Sequence, residues 1–132
     1  MKAEHIGIAV KDLNISIPLF EKLLNTNCYK KETVETENVI TAFFKTGETK
    51  IELLQNTVNG GVIEKFISKK GEGVHHIAFE VMNIYDEIKR LKEAGFIFLN
   101  EEPKKGADNK LICFLHPKTA NGVLIELCQT IK

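Results

Sequence analysis

Four residues stand out as polar groups set inside apolar strand patterns: His5 in HIGIAV, Glu52 in KIELLQ, His76 in HIAFEV and Glu126 in LIELCQ. Alternation along a strand puts each glutamate on the face opposite its immediate apolar neighbours. Alone, either glutamate reads as part of a solvated face and either histidine as a satisfied structural residue. Together they form a set, because each half of the chain supplies one histidine early and one glutamate late. Two imidazoles and two carboxylates suit a divalent metal ion and leave open positions for water or a chelating ligand. His75 adjoins His76, so one must face away; the repeat selects His76 as the inward residue.

The elements that must position these residues also repeat. Residues 5–10 (HIGIAV) are echoed by 76–81 (HIAFEV), and 50–55 (KIELLQ) by 124–129 (LIELCQ). A fixed-order echo of this kind decides the fold reading before any local propensity does. Each half opens with a strand, 5–10 or 75–81, and continues into a helix. Ile15, Leu19, Leu23 and Leu24, with Phe20 beside them, mark the first helix stripe; Ile84, Ile88 and Leu91 mark the second, closed near Gly95. Pro18 is tolerated if its helix begins near Ser16. Three strands follow in each half, at about 28–35, 39–45 and 49–55, then 96–101, 111–116 and 123–129. The expectation is an α+β fold: two βαβββ units, 1–57 and 71–132, joined by a short helix at about 60–70. As one domain they would form a curled eight-stranded mixed sheet around a metal-binding cavity.

Composition narrows the function. The 132 residues are 43% hydrophobic and 27% charged, with Lys plus Arg and Asp plus Glu balanced at 18 each. That balance, with Arg90 the only arginine, argues against a nucleic-acid partner. No apolar run is long enough for a membrane helix. Cys28, Cys113 and Cys128 form no CxxC motif and are odd in number, which points to a reduced, cytoplasmic protein. Each reads as a small packing residue, and His116, before Pro117, as a loop anchor. KKGADNK (104–110) reads equally as a substrate-facing loop or a solvated turn. No P-loop or GxGxxG is present.

The segments HIGIAVKDL (5–13), GETKIELLQ (47–55), GEGVHHIAFEV (71–81), EEPKKGADNK (101–110) and FLHPKTANGVLIEL (114–127) carry a wider likeness. Through them the chain resembles the methylmalonyl-CoA epimerases of the vicinal oxygen chelate superfamily, which also holds the glyoxalases. The resemblance implies metal ligands at His5, Glu52, His76 and Glu126. It implies a divalent ion, cobalt first, with zinc, manganese, nickel or magnesium as alternatives, a homodimer and an acyl-CoA substrate. It also implies an acid–base glutamate in VETENV (34–39), best matched by Glu37 with Glu35 as the fallback. Asn38 stands where the family has glycine, and asparagine tolerates the left-handed backbone such a turn needs. Glu37 and Glu126 would then flank the carbon whose configuration changes. The rival expectations are a glyoxalase-like isomerase of a glutathione hemithioacetal and a non-enzymatic ligand-binding protein of the same fold.

Overall fold

Alternation in the strands and asparagine or aspartate at the helix starts set up the same construction twice. The computed structural model describes residues 1–132. It is α+β, and divides into a first unit, His5–His75, and a second, His76–Lys132 with Met1–Glu4.

The first unit is built on β1 (Lys2–Ala9), α1 (Leu13–Leu24), β2 (Lys30–Val34), β3 (Val39–Thr46), β4 (Thr49–Asn56) and α2 (Val62–Lys70). Its strand order is β2-β3-β4-β1, with β1 parallel to β4 and the other pairs antiparallel. Asp12 caps α1 by accepting from the Asn14 N–H at 2.9 Å, and Asn25 ends the helix in the left-handed region at φ 52°. The helix begins at Leu13, earlier than the sequence suggests. Pro18 therefore lies inside it and denies one helical hydrogen bond to the Asn14 carbonyl, which is exposed and can turn to water.

The inward face of α1 also differs from expectation. Leu13 and Ser16 are buried, and Ile17, Phe20 and Leu24 pack on Val10, Ala42, Phe44 and Leu53. Ile15, Leu19 and Leu23 point outward, at 71%, 59% and 69% exposed. The helix is apolar on two sides, so periodicity alone offers two stripes, and only packing on the sheet chooses between them.

The second unit contains β5 (Gly73–Glu80), α3 (Ile84–Glu93), β6 (Lys104–Lys105), β7 (Lys110–Leu115) and β8 (Ile125–Thr130). The order is β5-β8-β7-β6, with β5 parallel to β8. Asn83 caps α3 through the Asp86 N–H. Ile84, Ile88 and Leu91 face the sheet as expected, packing with Val81, Cys113, Leu115 and Leu127. The stretch 96–101 is not the ladder strand expected. Phe98 makes an isolated bridge to Leu115, and the Asn100 side-chain oxygen takes the Phe114 N–H at 3.0 Å. That side-chain bond replaces a backbone rung, and the paired strand is the two-residue β6 beyond Pro103.

The echo extends to a residue pair that sequence reasoning passed over. Gln55 of β4 accepts from the Leu13 N–H, and Gln129 of β8 from the Ile84 N–H, each at 2.7 Å. Both close an echoed segment, KIELLQ or LIELCQ, so the signal was present. Each glutamine satisfies an N–H that the first turn of a helix leaves without a partner. It also ties that helix to the strand carrying Glu52 or Glu126.

Candidate metal and acid–base site

Strand alternation separates the two faces of each sheet. In β4, Ile51 and Leu53 join the core under α1, while Glu52 takes the opposite face. In β8, Ile125 and Leu127 pack toward α3, and Glu126 lies on the other side. Both acids are thus carried on the face that no helix of their own unit covers.

In the first unit His5 Nδ1 lies 3.2 Å from Glu52 Oε2. In the second unit His76 Nε2 lies 3.2 Å from Glu126 Oε1. All four are buried, between 3% and 6% exposed. Burying a carboxylate costs several kcal/mol unless a cation or hydrogen bonds compensate it. A solvated-face reading is therefore excluded for both glutamates. Each pair presents an imidazole nitrogen and a carboxylate oxygen to one another, which is the donor chemistry a borderline divalent ion takes. The residues fit such an ion.

The surroundings of the two pairs are related. Phe43 stands opposite Glu52 in the β3–β4 register, and Phe114 opposite Glu126 in β7–β8. His76 meets the Phe114 ring edge-on at 5.7 Å between centroids. His75 turns away from its neighbour and packs edge-on against Phe66 of α2 at 5.1 Å.

Glu35 and Glu37 fall in a single 3-10 turn, Glu35–Glu37, with Glu35 exposed and Glu37 half-buried. Asn38 closes the turn at φ 55°, the left-handed conformation expected of it. From there β3 runs through Val39 and Thr41 to Phe43, so Glu37 sits along the strand that passes Glu52. The second unit has no turn of this kind at the head of β7; there Gly106 and Lys110 exchange a backbone bond across the 104–110 segment.

Lys110 is the other departure from a plain solvated turn. It is buried at the start of β7, 3.5 Å from Glu80 and 3.9 Å from Glu4, and its ammonium donates to Thr130 Oγ1 at 2.9 Å. In KLICFL the alternation already places Lys110 on the face of Ile112 and Phe114. His116 anchors its loop by accepting from the Lys118 N–H at 3.1 Å. The three cysteines are free thiols. Burial pushes Cys113 up to about 11, with Lys92 pulling partly the other way. Burial, with Glu126 and Glu4 nearby, raises Cys128 further still.

Residues 4–114 match the family model described as Glyoxalase/Bleomycin resistance protein/Dioxygenase superfamily. The ethylmalonyl-CoA/methylmalonyl-CoA epimerase of Cereibacter sphaeroides is 38% identical over 130 residues, covering 97% of each chain. A solved Bacillus halodurans protein is 40% identical with a TM-score of 0.95, over 99% of this chain and 95% of that one. A variant of the Streptomyces coelicolor methylmalonyl-CoA epimerase, in complex with 2-nitronate-propionyl-CoA, is 31% identical with a TM-score of 0.94. The match covers 100% of this chain and 99% of that chain.

Proposed function

The chain belongs to the glyoxalase/bleomycin resistance protein/dioxygenase superfamily, and from that premise we propose that it interconverts the two epimers of methylmalonyl-CoA. The observation that carries this reading is the duplicated, buried His–Glu pair, set in a chain that matches epimerases over nearly its whole length.

The reaction asks for two things. A carboxylate must remove the proton from the carbon between thioester and free carboxylate, and a second group must return one to the opposite face. We assign these roles to Glu37 and Glu126. Glu126 is buried, where a carboxylate is a stronger base than in water, unless a positive neighbour offsets the burial. Glu37 is half-buried in a turn whose backbone Asn38 holds. His5, Glu52, His76 and Glu126 are the residues proposed to hold a divalent ion, cobalt in our reading, with zinc, manganese, nickel or magnesium as alternatives. Bound there, the ion would supply electrophilic stabilisation of the negative charge that develops on the thioester oxygen. The apolar neighbours Phe43 and Phe114 exclude water beside the two pairs, which strengthens every charge interaction there.

We also propose a cytoplasmic homodimer. The free thiols of Cys28, Cys113 and Cys128 suit a reducing compartment. Ile15, Leu19 and Leu23 offer an apolar helix face of the kind a second copy covers.

The test is deuterium uptake. Cobalt-loaded protein is incubated with one epimer in deuterated water, beside a metal-stripped control. Metal-dependent uptake at the α-carbon together with formation of the other epimer is the expected result. Bound cobalt with no uptake above the control overturns the epimerase reading.

A further inference from the structure

The first unit carries a lysine cluster that neither the metal donors nor the acid–base glutamates use. Lys30 stands opposite Phe43 in the β2–β3 register, and Phe43 opposite Glu52 in β3–β4, so the three share a row and a face. One step along the same strands, Lys45 stands directly opposite Lys50, and Lys50 is in register with His5. The side chains gather on two aromatic rings. Lys30 Nζ is 4.4 Å and Lys50 Nζ 5.7 Å from the centroid of the fully buried Phe43. Lys45 Nζ is 5.1 Å from the Tyr29 ring, which lies 6.1 Å from Phe43.

Two like charges directly opposite across a strand pair are destabilising, and here a third ammonium adds to them. Contacts with ring faces offset part of that cost and hold the ammonium groups in place. The exposed pair of Lys30 with Glu32, at 3.8 Å, is of a kind that contributes little. Such an arrangement gains most when a multiply charged oxyanion sits among the three groups.

We infer that Lys30, Lys45 and Lys50, held on Phe43 and Tyr29, form an anion subsite beside the His5–Glu52 pair that binds a charged oxygen group of the acyl-CoA. This rests on the acyl-CoA reading above. The anion has two possible sources, the phosphates of the CoA moiety and the free carboxylate of the acyl group, and both are recognised by the same chemistry.

Calorimetric titration of the cobalt-loaded protein with CoA, dephospho-CoA, pantetheine and methylmalonate separates them. The variants are Lys30→Gln/Lys50→Gln and Lys45→Gln, with Lys69→Gln on the exposed side of α2 as control. CoA binding about tenfold weaker in the double variant, with pantetheine unchanged, supports the subsite and identifies the phosphates. Loss of methylmalonate binding, with the preference for CoA over pantetheine intact, supports it and identifies the carboxylate. Equal affinities of wild type and variants for all four probes overturn it. Should the double variant fold poorly, the salt dependence of CoA binding by Lys45→Gln and wild type decides: a shallower slope in the variant supports the subsite, and equal slopes overturn it. Wild-type protein that turns over the thioester while the variants bind normally leaves the epimerase reading standing and removes only this inference. Wild-type protein that neither binds CoA nor exchanges the α-proton removes both.

Discussion

The two units share a plan and differ in how their helices are used. α3 buries Ile84, Ile88 and Leu91 and turns a charged face to solvent, with Glu87 and Arg90 paired at 2.8 Å along it. α1 occupies the same place in its unit, carries the same kind of N-terminal cap and receives the same glutamine bond, yet leaves Ile15, Leu19 and Leu23 exposed. The His–Glu pair is present in both units at the same separation. The Glu37 turn and the lysine cluster belong to the first unit alone, and buried Lys110 to the second. Duplication has kept what the donors need, and each unit has diverged in what surrounds them.

The largest expected effects test the sharing. His5→Ala and His76→Ala should each abolish bound cobalt and turnover, by metal analysis and by epimerisation rate. A variant that keeps both would show that only one unit supplies essential ligands. Glu37→Gln should keep the metal and lose about a hundredfold or more in rate, the range for a lost acid–base group. Unchanged turnover would move that role to Glu35.

Next in size is the contrast between helices. Ile88→Ala should lower stability by about 2–4 kcal/mol in denaturant unfolding, because it empties a buried site. Leu19→Ala should change monomer stability by no more than about 0.5 kcal/mol, as surface substitutions do. Leu19→Glu should shift the protein toward monomer in sedimentation while leaving its far-UV spectrum unaltered. Unaltered sedimentation of a dimer would place the interface elsewhere.

Gln55→Ala and Gln129→Ala should each cost about 1 kcal/mol, the usual loss for a helix-terminal bond, and by similar amounts. Unequal losses in thermal unfolding would show that the two struts are not equivalent.

The smallest effect separates the units by their thiols. Cys113 is raised to about 11 by burial, from 9.0. The unfolded chain therefore releases its proton first, so this contribution to stability is full below pH 9 and is lost as pH rises toward 11. Cys128 acts in the same direction. The melting temperature of the wild type should fall more between pH 9 and 11 than that of Cys113→Ala; parallel profiles would refute the assignment.

Much of this was legible in particular residues. His5, Glu52, His76 and Glu126 could be picked out because each interrupts an apolar strand and each has a counterpart in the other half. Asn38 could be assigned its left-handed turn because few residues tolerate one. α3 was legible because its polar and apolar residues separate cleanly at helical spacing. α1 was not, because its two apolar sides satisfy the same periodicity. The 96–101 stretch misled because strand-like composition says nothing of a side chain such as Asn100 capturing the backbone bond a ladder needs. Lys110 hid among turn-like residues, although its alternation with Ile112 and Phe114 marked its face.

By itself the sequence determined the βαβββ order, the strand faces and the identity of the four donors, because period and repetition are one-dimensional properties of a chain. Tertiary structure alone decided which side of α1 meets the sheet, that Gln55 and Gln129 reach across to the helix starts, and that Lys30, Lys45 and Lys50 gather on Phe43 and Tyr29. Those outcomes depend on which residues become neighbours when strands far apart in the chain pair in register, and register is a property of the folded sheet.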